Sequence, residues 1–76
     1  MKTTKMQLAN FAIWIVKEIA KSPKHIGIDY SNKLGIRVWF YKDANGNILK
    51  HFTLFGFDSI RENLKIFRQI IKEVRR

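Results

Sequence analysis

The amino-acid sequence predicts an α+β fold, a two-layer sandwich with the element order α-β-β-β-α. Apolar residues recur at helical spacing near both ends of the chain, and they alternate with polar residues in the middle. Two turn signals divide that middle into three strands of an antiparallel meander. Both helices are expected to pack on one face of the sheet, and residues 1–76 are expected to form a single compact basic domain.

The first helix is predicted from about Thr4 to Lys21. Thr4 and Gln7 have the spacing of a capping box, and Ser22-Pro23 ends the helical pattern. The apolar positions between them are Leu8, Ala12, Ile15, Val16 and Ile19.

Three strands are predicted to follow, the first with Ile26, Ile28 and Tyr30 on one face, the second from Gly35 and the third from about Asn47 to Phe55. A three-residue hairpin loop over 44–46, with Gly46 in the left-handed conformation, matches apolar residues across the strands better than a two-residue loop does. The predicted cross-strand neighbours are Val38 with Phe52, Ile36 with Leu54, Ile28 with Val38, Asp29 with Arg37 and Gly27 with Trp39.

The second helix is predicted to start after Ser59, which has capping-box spacing to Glu62. Its apolar stripe is Ile60, Leu64, Phe67, Ile71 and Val74. The sheet residues expected beneath both helices are Ile26, Ile28, Val38, Phe40, Phe52 and Leu54, with Lys50 at the edge of that face.

Charge is the strongest indication of a partner. Fifteen Lys and Arg against six Asp and Glu give a formal net charge of +9 on a chain that is 46% hydrophobic. This balance favours a folded domain with a polyanionic partner over a disordered basic tail. The absence of cysteine fits the cytoplasm, and the apolar segment Leu8 to Val16 is too short to span a membrane. Because no phosphate loop or metal-ligand spacing occurs, no cofactor and no metal are expected.

The second helix carries a row of cations, here called the basic stripe: Arg61, Lys65, Arg68, Lys72 and Arg75. Their spacing of three or four residues puts them on one side of the helix, while Glu62 and Glu73 lie elsewhere. The stripe is therefore expected to contact the phosphates of a nucleic acid. The alternative is a solvated face whose last cations favour the helix dipole.

The outer face of the sheet is rich in rings: His25, Asp29, Arg37, Trp39, Tyr41, Leu49, His51, Thr53 and Phe55. Of these, Arg37, Trp39, Tyr41 and His51 are expected to contact bases or grooves. The alternatives are simple cross-strand pairing and a dimer made sheet to sheet.

Trp14, Lys17 and Lys21 share one side of the first helix and are candidates for binding a partner. The alternative for Trp14 is a half-buried position at the domain's edge. Separately, His25 and His51, with Asp29 and Tyr41, have the residue types of a metal-independent ribonuclease, one histidine acting as general base and the other as general acid.

The element order with a basic last helix resembles the double-stranded RNA-binding domain architecture, which HicA-type mRNA-cleaving toxins also use. The last helix begins with Ser59-Ile60-Arg61-Glu62 where that RNA-binding family has a lysine cluster. Pro23-Lys24-His25 stands where the toxins have Gly-Ser-His, so only the histidine is shared. The meander followed by a helix is also similar to the arm-type DNA-binding domain of phage and transposon integrases, whose sheet enters the major groove.

The sequence thus predicts a small non-enzymatic nucleic-acid-binding protein, with DNA and RNA both open. The runner-up is a protein-interaction module, such as a small phage or mobile-element regulator that docks on an acidic partner. A HicA-like ribonuclease is the third reading. A homodimer, through the outer sheet or through Trp14 and Ile13, is compatible with all three.

Overall fold

A computed structural model, which describes residues 2–76, confirms the predicted α+β sandwich. The elements are α1 (Lys5–Lys21), β1 (Ile26–Ser31), β2 (Gly35–Tyr41), β3 (Ile48–Phe55) and α2 (Ile60–Arg75). The strands form one antiparallel sheet in the order β1-β2-β3, and both helices pack against the same face of it.

Local sequence signals account for the helix ends. The Thr4 side chain accepts a hydrogen bond from the Gln7 backbone N at 3.1 Å, and Gln7 Oε1 accepts one from the Thr4 backbone N at 2.9 Å, so the first capping box is formed as predicted. Ser22 caps the other end of α1. At α2, Ser59 Oγ accepts from the Glu62 backbone N at 3.2 Å, and among the described residues only this half of the second box is formed.

The cross-strand register agrees with all five predicted pairs. The β2–β3 loop differs: a bulge after Phe40 places Tyr41 opposite Ile48, and a bond from Lys42 N to Asn47 O encloses a four-residue loop over 43–46. The predicted three-residue loop is therefore wrong, although Gly46 has the expected positive φ of 86°. The physical reason lies in Asp43, whose carboxylate accepts from Asn45 N at 2.9 Å and Asn47 Nδ2 at 3.0 Å and so widens the turn.

One apolar core fills the space between the layers, made of Leu8, Phe11, Ala12, Ile15, Ile36, Val38, Phe40, Leu54, Ile70 and Val74. In α1 the prediction for Val16 is wrong, because that residue is exposed and Phe11 is buried instead. Phe11 lies on the side of α1 that faces α2, where its ring centroid is 5.0 Å from that of Phe67. Contact with the second helix thus decides which side of α1 is buried.

In α2 the side that is buried is rotated about the helix axis relative to the predicted apolar stripe. Asn63, Ile70 and Val74 are the buried residues, whereas four members of that stripe are only half-buried: Ile60, Leu64, Phe67 and Ile71. Asn63 is anchored by two hydrogen bonds, from its Nδ2 to Thr3 Oγ1 at 2.7 Å and to Phe55 O at 2.9 Å. These bonds hold the buried arc of α2 over β3 and the N-terminal segment.

The edge position predicted for Lys50 is confirmed. Its ammonium reaches out from the inner face to Glu73 Oε1 at 3.1 Å, and its side chain is 40% exposed. Neither helix within residues 2–76 is long and apolar enough to cross a membrane.

Candidate functional site

The residues predicted to bind a partner lie on two opposite surfaces. We call the solvent side of α1 and α2 the helical face, and the side of the sheet away from the helices the sheet face. Because Asn63, Ile70 and Val74 point α2 toward the core, Lys65 and Lys72 lie about half a turn away on the helical face. The sheet face carries Arg37, Trp39, Tyr41 and His51. The two predicted sets therefore lie on opposite sides of the sandwich, and a rigid duplex cannot contact both at once.

On the sheet face, Arg37 is already engaged by its neighbours. Its Nη2 lies 3.4 Å from Asp29 Oδ2 on the adjacent strand, and its guanidinium carbon lies 5.4 Å from the centroid of the Trp39 ring. The register places Asp29 opposite Arg37, and strand alternation places Trp39, two residues further along β2, on the same face. Since the ion pair is exposed, it contributes little to stability, but it does reduce the charge that Arg37 presents to a ligand.

The rings of the sheet face also pack on one another. Tyr41 and Trp39 are half-buried and both lie over Gly27, where an added Cβ would come within 3.2 Å of Tyr41 and 3.6 Å of Trp39. Gly27 therefore leaves room for two rings of β2, and the nearer one is that of Tyr41. His25 stacks on Tyr41 at a centroid distance of 4.4 Å.

The two histidines considered for ribonuclease chemistry lie on opposite sides of β2. His25 lies just before β1, and His51 lies on β3 opposite Trp39, with the rings of β2 between them. Two strand spacings alone separate the histidines by about 10 Å. The two imidazoles therefore start from backbone positions about 10 Å apart, with Trp39 and Tyr41 of β2 between them.

On the helical face, most of the basic stripe has no internal counter-charge. Arg61, Lys65, Arg68 and Lys72 are exposed, and none of them forms an ion pair with another residue in the range 2–76. Neighbouring cations at these spacings repel one another by a few tenths of a kcal/mol each. This part of the stripe therefore presents its full charge to solvent.

Arg75, the last member of the stripe, is different because it is already paired with a carboxylate. Arg75 Nε donates to Glu18 Oε1 at 2.6 Å, and its Nη2 contacts the same oxygen. Glu18 is only 6% exposed, and Lys21 Nζ lies 3.8 Å from its other oxygen. The carboxylate comes from α1, so the pattern of α2 alone could not reveal it.

An open interhelical groove of about 480 Å³ runs between α1 and α2. Its lining residues are Gln7, Asn10, Phe11, Trp14, Glu18, Ile60, Phe67, Ile71 and Arg75. Trp14 is 60% exposed, so the half-buried alternative is wrong, and Lys17 Nζ lies 5.9 Å from the centroid of its ring. The groove therefore has an apolar floor, one exposed ring and cations beside it.

The groove joins two sets of residues that the sequence presented separately. Trp14 on α1 and Arg75 on α2 line it together, and Glu18 links Arg75 to Lys21. Sequence reasoning missed Glu18 and Phe67 as parts of this surface. A signal existed for Glu18, because it follows Trp14 by four residues and Ile15 by three, which puts it between the exposed ring and the core.

No group of three or more His, Cys, Asp or Glu side chains within residues 2–76 is placed to hold a metal ion. Comparison with known proteins gave no match among family models, curated proteins or solved structures.

Proposed function

We propose that the protein is a non-enzymatic nucleic-acid-binding protein that contacts phosphates through its helical face. The observation that carries the proposal is the unpaired part of the basic stripe, Arg61, Lys65, Arg68 and Lys72. Phosphate contacts supply most of the affinity in sequence-independent binding, and they need exposed cations in a regular array.

The dimensions of the stripe suit a phosphate backbone. From Arg61 to Lys72 the helix rises about 16 Å, with one cation about every 5 Å along its axis. Two carboxylates near the stripe are used elsewhere, since Glu18 pairs with Arg75 and Glu73 pairs with Lys50. Glu62 is exposed at the start of the helix and forms no ion pair with the stripe within residues 2–76. The repulsion between neighbouring cations destabilises the stripe when no ligand is bound. A bound polyanion would relieve this repulsion.

In this proposal Arg37, Trp39, Tyr41 and His51 do not contact the same duplex as the stripe. They would bind nucleic acid only in a second mode, in which the sheet face is the surface. We place the protein in the cytoplasm, because a chain with no cysteine fits a reducing compartment.

Charge reversal with a matched control tests the proposal. Lys65, Arg68 and Lys72 are all changed to Glu in one variant, and Lys2, Lys33 and Lys42, which are exposed and lie outside both helices, are changed to Glu in the other. Both variants undergo the same change in net charge. Affinity for duplex DNA, single-stranded DNA and RNA is measured by fluorescence anisotropy at several salt concentrations.

We expect the native chain to bind with a slope of log affinity against log salt of about −3 to −4, from roughly four phosphate contacts. The stripe variant should lose at least about 100-fold in affinity, and the control variant much less. Binding that ignores salt, or an equal loss in the two variants, would exclude the helical face as the phosphate site.

A second candidate is an acidic protein partner, and the interhelical groove favours it. An apolar floor between Trp14 and Ile71, next to exposed cations, is also suited to an acidic amphipathic helix. In that case a pull-down would return one stoichiometric protein, while nucleic acids of every form would bind only weakly.

A further inference from the structure

We propose that the interhelical groove takes an unpaired nucleobase, so that the protein prefers single-stranded nucleic acid over duplex. This inference rests on the proposed function, because it places the base beside phosphates held by the basic stripe. It goes further by naming the form of nucleic acid and the residues that distinguish it.

The floor of the groove is the first argument. Phe11 and Phe67 meet there with ring centroids 5.0 Å apart, and Ile71 continues the apolar surface. The volume of about 480 Å³ lies within the range of small-molecule sites and accommodates a planar base. In a duplex the bases are stacked inside and cannot enter such a groove, whereas an unpaired base can be turned out into it.

Trp14 is the second argument. Its side chain forms part of the groove wall, although 60% of the residue is exposed to solvent. An exposed indole is a surface on which a base can stack, irrespective of sequence. Lys17, whose Nζ is 5.9 Å from the ring centroid, adds a cation next to the place where the sugar and phosphate of that nucleotide would lie.

Two amides in the wall provide polar contacts. Asn10 is exposed one turn before Trp14, and its side chain offers both a donor and an acceptor. Gln7 lies one turn further back, and its Oε1 accepts from Thr4 N, which leaves its NH₂ group to donate. Amides of this kind pair with the edges of unstacked bases.

Charge explains why an anionic ligand tolerates a carboxylate in this groove. Glu18 lines the groove, but Arg75 and Lys21 neutralise it. On α2 the unpaired cations Arg68 and Arg61 lie on the same side of the helix as Arg75, next to the apolar stripe. A strand with one base in the groove can therefore lay its neighbouring phosphates along the basic stripe.

The chain contains two tryptophans, one on each face, and this allows a direct test. In a Trp39→Phe variant the fluorescence comes from Trp14, and in a Trp14→Phe variant it comes from Trp39. Each variant is titrated with a single-stranded oligonucleotide and with a duplex of equal length. We expect the single strand to quench Trp14 and to leave Trp39 unchanged.

Affinity provides the second measurement. Trp14→Leu and Asn10→Ala should weaken single-strand binding by about 10-fold and by a smaller factor respectively, while duplex binding changes little. Both residues are exposed, so a thermal melt should show an unchanged fold, and Trp39→Leu serves as the control on the opposite face.

The possible failures can be distinguished. If binding is salt-dependent but equal for single strand and duplex, and Trp14→Leu has no effect, the groove proposal is wrong and the proposed function remains. If no oligonucleotide binds at any salt concentration, both are wrong. If an acidic helical peptide quenches Trp14 and oligonucleotides do not, the occupant of the groove is a protein, and the nucleobase proposal is overturned.

Discussion

On the sheet face Arg37 has a carboxylate and a ring as neighbours, whereas on the helical face Arg61, Lys65 and Arg68 have no ionic partner within residues 2–76. The two surfaces contain similar residue types, yet on the sheet face Arg37 is paired with Asp29 and the rings of His25 and Tyr41 stack on each other. The helical face leaves cations in solvent next to an apolar groove. Residue type alone therefore does not identify a binding surface, and the pairing between side chains is the more useful criterion.

The largest loss of stability is expected at Gly35, where the backbones of β2 and β3 approach each other closely. Gly35 has a φ of 130°, and a Cβ there would overlap the carbonyl oxygen of Leu54. We expect Gly35→Ala to lower the free energy of unfolding by about 3 kcal/mol or more, because both strain and backbone overlap oppose it. Gly46→Ala is the matched control, since its φ of 86° is strained but nothing lies within 4 Å, and it should cost about 1 kcal/mol. Urea denaturation measures both free energies of unfolding, and equal losses would contradict the close approach of Gly35 to the Leu54 carbonyl.

Within the basic stripe, Arg75 should behave unlike Arg68. Arg75→Ala leaves the buried carboxylate of Glu18 with only the more distant Lys21, so we expect a loss of about 1 to 2 kcal/mol after discounting for the exposure of the arginine. Arg68→Ala should change stability by less than about 0.5 kcal/mol, because no ion pair is lost. If thermal and urea denaturation give the same loss for both, the distinction between the paired and unpaired parts of the stripe is wrong.

A smaller effect is expected at Gly27, where the rings of the sheet face meet. Gly27→Ala should destabilise the fold by about 1 kcal/mol, because the new Cβ comes within 3.2 Å of Tyr41 and the ring must move. The emission of Trp39 should shift in a Trp14→Phe background, while the affinity of the helical face for oligonucleotides stays the same. A loss of that affinity would show that the two faces are coupled.

The smallest effect concerns the ion pair that connects the inner sheet edge to α2. The hydrogen bond from Lys50 holds the pKa of Glu73 below its ordinary value, and the positive charges of Lys50, Arg76 and Lys24 act in the same direction. A lowered pKa in the folded state means that this stabilisation is present above the ordinary pKa and is lost as the pH falls through the folded value. Lys50→Met should therefore reduce the fall in unfolding free energy between about pH 5 and pH 3. Lys42→Met is the control, and an unchanged pH profile in the Lys50 variant would contradict the pairing.

Much of the fold could be derived from local sequence. The Thr4 capping box, the positive φ of Gly46 and the pairing of Val38 with Phe52 all follow from residues that are close in the chain or from strict alternation. The rotation of α2 could not be derived in this way. Its apolar arc is wide enough to permit several orientations of the helix. The hydrogen bonds of Asn63 to Thr3 and Phe55 favour the one observed, and no periodic pattern in the sequence predicts these two contacts.

The candidate site also has one part that local sequence predicts and one part that it does not. Helical periodicity identifies the basic stripe and puts Trp14 off the core, because 100° per residue orders the side chains within one helix. Periodicity says nothing about the distance between helices. Only the packed structure shows that Glu18 neutralises Arg75, that Trp14 and Phe67 line one groove, and that the aromatic sheet face lies on the opposite side. These contacts join residues far apart in the chain, and their geometry depends on how the two layers pack.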